Sequence, residues 1–133
     1  MGVTVISFHL DTRSGIAPYL QIVGQVRQAL LLGLLAEGDK LPTVKEVVAK
    51  VAINPNTVSK AYRELEHQGL AAAKPGVGTF ITRSLGEASP AENAPLQQEL
   101  KSWLVKARAA GLTEAGIEAL FQSTFRESAE EER

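Results

Sequence analysis

The chain of 133 residues contains no cysteine. Disulfide frameworks and thiolate metal sites are therefore excluded. Histidine is scarce as well. His9 and His67 stand alone, without partners at ligand spacing, so neither a metal nor another cofactor is expected. Long apolar runs are missing: the longest, residues 29–36, is interrupted by Gly33 and is too short to cross a bilayer. The first ten residues lack the basic start and apolar stretch of a secretory leader, so no membrane association and a cytoplasmic location are expected. Signs of catalysis are also absent. Gly76-Val77-Gly78-Thr79 lacks the Gly-Lys-Ser/Thr ending of a P-loop, and Glu64 and Glu66 do not form an acid/base pair. No enzyme is expected.

What is present is ordinary globular composition, with 44% hydrophobic and 22% charged residues, and an uneven charge. The net charge is -1, yet residues 38–83 carry seven Lys/Arg against four Asp/Glu, and residues 84–133 carry five against nine. Only the middle of the chain could attract a polyanion, and only mildly.

Val3, Val5, Phe8 and Leu10 alternate and suggest a short strand. Pro18 opens a helix whose apolar residues Ile22, Val26, Ala29 and Leu30 repeat at helical spacing up to Gly33. A second helix follows "GDKLP": Thr43 caps it, Glu46 completes a capping box, and Val44, Val47, Val48 and Val51 give it a valine face. Only Ala52 and Ile53 separate it from "NPNTVSKAYRELE". Here Asn54 caps, Pro55 occupies the first turn, and Val58, Ala61, Tyr62 and Leu65 form the apolar stripe. After Gly69, "LAAAKPGVGTFIT" reads as a β-hairpin around Pro-Gly.

Residues 84–95 are small, polar and proline-rich and read as a linker between a head, 1–83, and a tail, 96–133. The tail shows two amphipathic helices. One carries Leu96, Leu100, Trp103, Leu104 and Ala107 on a face; the other, capped by Thr113, carries Ile117, Leu120, Phe121 and Phe125. Two short helices cannot bury both faces alone, so pairing with a second copy is expected. The aromatic group could also be read as a ligand box, but its helical spacing favours a dimer core.

Three helices followed by a hairpin specify a mainly α fold with a small β-hairpin: a winged helix-turn-helix head plus a C-terminal helical hairpin. In that motif the front of the third helix enters the DNA major groove. Asn can pair bidentately with adenine, and Thr can donate to phosphate or touch a thymine methyl. Asn-Pro-Asn-Thr is also simply a good capping sequence, so the surrounding architecture carries the DNA reading.

"GDKLPTVKE", "NPNTVSKAYRELE" and Gly-x-Gly-Thr-Phe together resemble the N-terminal domain of GntR-type bacterial transcription regulators, over roughly residues 11–82. The short two-helix tail resembles the YtrA-like branch. The resemblance implies a homodimeric regulator, often a repressor, on a palindromic double-stranded operator, with the small-molecule effector unknown. It implies DNA contacts by Thr43 and Lys45 in the second helix, by Asn54, Asn56, Thr57, Ser59 and Lys60 in the third, and by Lys74 and Gly76 at the hairpin tip. Lys45 stands where the family usually has Arg, giving up the bidentate fork. Ala52 replaces a common Gly, with a strain of about 1 kcal/mol if the turn needs a left-handed residue. Lys74 is the only cation near the tip, which leaves two readings: a wing that enters the minor groove with reduced affinity, or one that packs on the domain. The rival functions are a protein-interaction module and a metabolite sensor with a site at the dimer interface.

Overall fold

The computed structural model describes residues 6–86 and 89–132. The chain divides into two units, Met1–Glu92 and Asn93–Arg133. The first contains α1 (Pro18–Leu31), α2 (Val44–Lys50), α3 (Pro55–His67), β1 (Ala71–Lys74) and β2 (Gly78–Ile81). Two long helices follow, α4 (Pro90–Ala109) and α5 (Glu114–Glu131). The architecture is mainly α with a two-stranded antiparallel sheet, as the patterning requires.

In the head, α3 packs against α1, α2 and β1. Ile22, Val26 and Leu30 of α1 meet Val58, Ala61 and Leu65 of α3, and every one of them is buried. The start signals of α2 and α3 act as read. Thr43 Oγ1 accepts from the Glu46 N–H at 3.1 Å, and Glu46 returns the bond to the Thr43 N–H at 3.1 Å. These bonds hold the Glu46 carboxyl below its usual range, the backbone N–H of Thr43 contributing most. Asn54 Oδ1 accepts from the Asn56 N–H at 2.9 Å. The valine face of α2 is narrower than its spacing suggests. Val47 is buried and Val44 and Val48 are half-buried, but Val51 has already left the helix with extended backbone angles.

The hairpin pairs Ala71 with Ile81 through Lys74 with Gly78. Its turn closes with the Val77 N–H on the Lys74 carbonyl. Pro75 presets the second position, and Gly76, at φ +77°, takes the left-handed third position that a type II turn demands. A third segment, missed from the sequence, joins β2 on its other edge. Lys40 lies opposite Phe80, with the Leu41 N–H on Thr79 and the Ile81 N–H on Asp39.

Four expectations are corrected. Residues 6–10 form no strand, and Val3 and Val5 lie outside the described residues. The backbone of His9 is instead bracketed by the Gln25 carboxamide, which accepts from its N–H at 3.1 Å and donates to its carbonyl at 2.7 Å, while Phe8 enters the core. Ala52 is not left-handed, because no non-glycine residue among those described has positive φ, so the turn carries no such strain. Residues 90–95, read as linker, are helical: Ser89 and Glu92 exchange two 3.2 Å bonds as a capping box at the start of α4. Lys74 is not the wing's only cation, since Lys40 joins it across the sheet.

Within the tail, Ala107 and Ile117 are buried and Trp103 and Leu104 half-buried. Leu96, Leu100, Leu120, Phe121 and Phe125 remain exposed, Leu96 and Phe125 by about two thirds (66% and 65%). Leu100, Trp103, Leu120, Phe121, Thr124 and Phe125 line an open groove of about 350 Å³.

Tyr62 donates its hydroxyl to the Pro42 carbonyl in the core, and burial pushes its pKa upward. The folded head thus favours the neutral phenol. Above pH ~10 the unfolded chain loses this proton while the folded one keeps it, so stability falls as pH rises. Tyr62→Phe is expected to lower stability by about 1–2 kcal/mol near neutrality and to flatten that alkaline decline, measured by urea unfolding at several pH values.

Candidate nucleic-acid interface

The amphipathic spacing of α3 gives it two opposite stripes. Val58, Ala61, Tyr62 and Leu65 face inward and are buried. Asn56, Lys60, Arg63 and His67, at i, i+4, i+7 and i+11, share the opposite face and are all exposed. A neutral amide therefore leads three side chains that are cationic or can become so. Arg63 was missed from the sequence, although its seven-residue offset from Asn56 was the available signal.

Asn54 and Asn56 have different roles. The Asn54 oxygen is committed to capping α3, leaving only its amide N–H groups free. The Asn56 carboxamide makes no hydrogen bond among the described residues, so both its donor and its acceptor remain available. Thr57 and Ser59 are half-buried on the flanks. At the front of α2, Lys45 is exposed, and the Thr43 hydroxyl is engaged as the acceptor of the Glu46 N–H. Lys74 and Gly76 are exposed at the hairpin turn.

Two of the candidate cations lie over aromatic rings. Lys60 Nζ sits 4.2 Å from the centre of the Tyr19 ring on α1, and Lys74 Nζ sits 4.8 Å from that of Phe80. Such contacts hold an otherwise mobile ammonium in place. Tyr19, Lys60, Arg63, Glu64 and His67 border an open depression of about 340 Å³. Arg27 of α1 donates to Gln68 at 3.0 Å, and Gln68 donates to Glu64 at 2.8 Å, so this side of the depression is braced. No described helix is long and apolar enough to cross a membrane.

A capped short helix, a tight turn, a helix with an uncommitted polar front and a following hairpin define a winged helix-turn-helix of the DNA-binding class. The chain belongs to the bacterial regulatory proteins of the gntR family, whose model matches residues 18–81. It is 36% identical over 104 residues to the HTH-type transcriptional repressor YtrA of Bacillus subtilis, spanning 77% of this chain and 80% of that one. It is 33% identical over 106 residues to the HTH-type transcriptional regulator Rv1152 of Mycobacterium tuberculosis, covering 80% and 84%. Among solved structures, a transcriptional antiterminator from Listeria monocytogenes is similar at a TM-score of 0.58 and 32% identity, over 90% of each chain. The protein is a GntR-family transcription regulator.

The two asparagines separate cleanly by experiment. Asn54→Ala is expected to cost about 1 kcal/mol of stability through the lost cap. Asn56→Ala is expected to stay within about 0.5 kcal/mol of the parent, both measured by thermal and urea unfolding.

Proposed function

We propose that the chain acts as a homodimeric repressor that reads a palindromic operator, with the front of α3 in the major groove of each half-site. The observation that carries this reading is the uncommitted Asn56 carboxamide at the head of an exposed basic stripe. Asn56 reads a base edge, most naturally adenine, through paired donor and acceptor bonds. Lys45, Lys60 and Lys74 contact phosphate, and Arg63 extends that set by one residue on the same stripe. Thr43, Asn54, Thr57, Ser59 and Gly76 support the approach at the helix fronts and the turn.

The exposed apolar residues of the tail support dimerisation. Leu96, Leu100, Leu120, Phe121 and Phe125 leave a face that a second copy of α4 and α5 covers, together with Trp103, Leu104 and Ile117 as its base. Two-fold pairing then sets the recognition helices about one turn of DNA apart, which is why the operator is a palindrome.

Selection from a random duplex library, with light scattering for mass, tests the proposal. The expected outcome is a dimer and an enriched inverted repeat. Asn56→Ala should cost about 1–3 kcal/mol on the selected site and flatten its base preference. Leu100→Asp with Phe125→Asp should give monomers that lose the palindrome preference. A monomeric parent, or selection that enriches no repeat, refutes the reading.

A further inference from the structure

The wing has two faces set by strand alternation. Ala71 and Ile81 point into the core, as does Leu41 on the third segment, and all three are buried. Directly opposed residues share a face, so Lys40, Ala72, Lys74, Gly78 and Phe80 lie together on the outer one. Lys40 and Phe80 form a non-hydrogen-bonded pair, the geometry that brings opposed side chains closest. The Lys40 chain runs across Gly78: a Cβ placed there would meet its Cε at 2.5 Å and its Nζ at 3.4 Å. Gly78 also sits at φ +147°, where side chains are rarely tolerated, so the glycine serves as a channel for the lysine. Lys74 lies over Phe80 on the same face.

We infer that Lys40 is a second DNA-contacting cation of the wing, paired with Lys74 on the Gly78–Phe80 platform to hold a backbone phosphate of duplex DNA. The inference rests on the DNA-binding reading above. Both lysines stand on this outward face, Lys74 exposed and Lys40 half-buried, and neither is in an ion pair among the described residues, although Glu46 lies near enough to interact with Lys40 electrostatically. The neighbouring Asp39 carboxylate is turned to the Ala36 N–H at 2.9 Å. Lys40 is also held rigidly to the DNA-facing elements. It lies two residues before Pro42, whose carbonyl binds Tyr62 of α3, and three before Thr43, the cap of α2. A phosphate bound at the wing therefore sets the depth of α3 in the groove.

Lys40→Gln removes the charge and keeps only the first two methylenes of the chain, so its stability is measured alongside. Its binding to a duplex of about two helical turns, read by anisotropy across a salt series, should show a slope of log affinity against log salt that is shallower by about one. The loss should be equal on the selected operator and on a scrambled duplex, with Lys40→Arg restoring the parent slope. Lys101→Ala, in the tail, changes net charge equally and should leave the slope unchanged. Thermal unfolding of Lys40→Gln should match the parent, which assigns the loss to contact rather than folding. An unchanged slope for Lys40→Gln beside a parent that binds DNA overturns this inference alone. A parent without salt-dependent duplex binding overturns both this inference and the reading beneath it.

Discussion

The bond from the Tyr62 hydroxyl to the Pro42 carbonyl lies in the core of the head and ties the middle of α3 to the residue just before α2 begins. Pro42 has no N–H, so that carbonyl is its only backbone polar group, and buried it needs a partner. The neighbouring residues are committed just as firmly. Gly38 and Leu41 donate to β2, Asp39 accepts from it, and Thr43 caps α2. Residues 38–43 are therefore a hub to which wing, second helix and third helix are each fastened. The relative placement of the candidate contacts follows from that hub rather than from α2 or α3 alone.

A 13-residue helix such as α3 is marginal in isolation, and its first turn of Asn, Pro, Asn and Thr adds little intrinsic propensity. It is held by burial of one stripe, where Val58, Ala61 and Leu65 are wholly inaccessible. This leaves the opposite stripe outside the core, with Lys60 resting on the Tyr19 ring of α1. Asn56, Lys60, Arg63 and His67 can then be selected for what they touch outside the molecule. The division also explains why Asn54 and Asn56, two residues apart and chemically identical, carry different duties. One completes the helix, and the other is left over.

The local signals were legible in the sequence. Thr43 with Glu46, Asn54 with Pro55, and Thr113 each act within three residues of themselves, and each starts a helix in the structure. Ser89 with Glu92 is the same kind of signal, but it lies in a small, polar, proline-rich stretch that reads as linker, with Pro95 in what proves to be the second turn of α4. Proline removes one bond and crowds the preceding turn, yet a 20-residue helix absorbs that cost. Non-local pairing was not legible. The alternation at residues 3–10 fits a strand, whereas His9 pairs with a glutamine side chain sixteen residues away. The short segment 38–41 carries no strand pattern and pairs with β2 through a single bridge only because β2 lies beside it. Among the contact candidates, the residues at the helix fronts could be named from spacing. Arg63 could have been found from its spacing to Asn56, whereas Tyr19 required knowing which part of α1 lies beside α3.

The wing illustrates how counting along the chain misjudges charge. Read linearly, the hairpin tip holds one cation, Lys74, just before Pro75. Across the sheet it holds two, because the pairing register sets Lys40 against Phe80. The head has few positive charges to deploy, with an excess of three over residues 38–83, so placement has to compensate for number. A free lysine loses about 2 kcal/mol of rotamer entropy when fixed. Lys60 on Tyr19 and Lys74 on Phe80 are restrained before any partner arrives, and Lys40 is channelled over Gly78. Much of that loss is thus incurred on folding, where core burial offsets it, and less remains at binding. On the proposed reading, a regulator built this way would need fewer phosphate contacts and would leave a larger share of recognition to the neutral carboxamide at the front of α3.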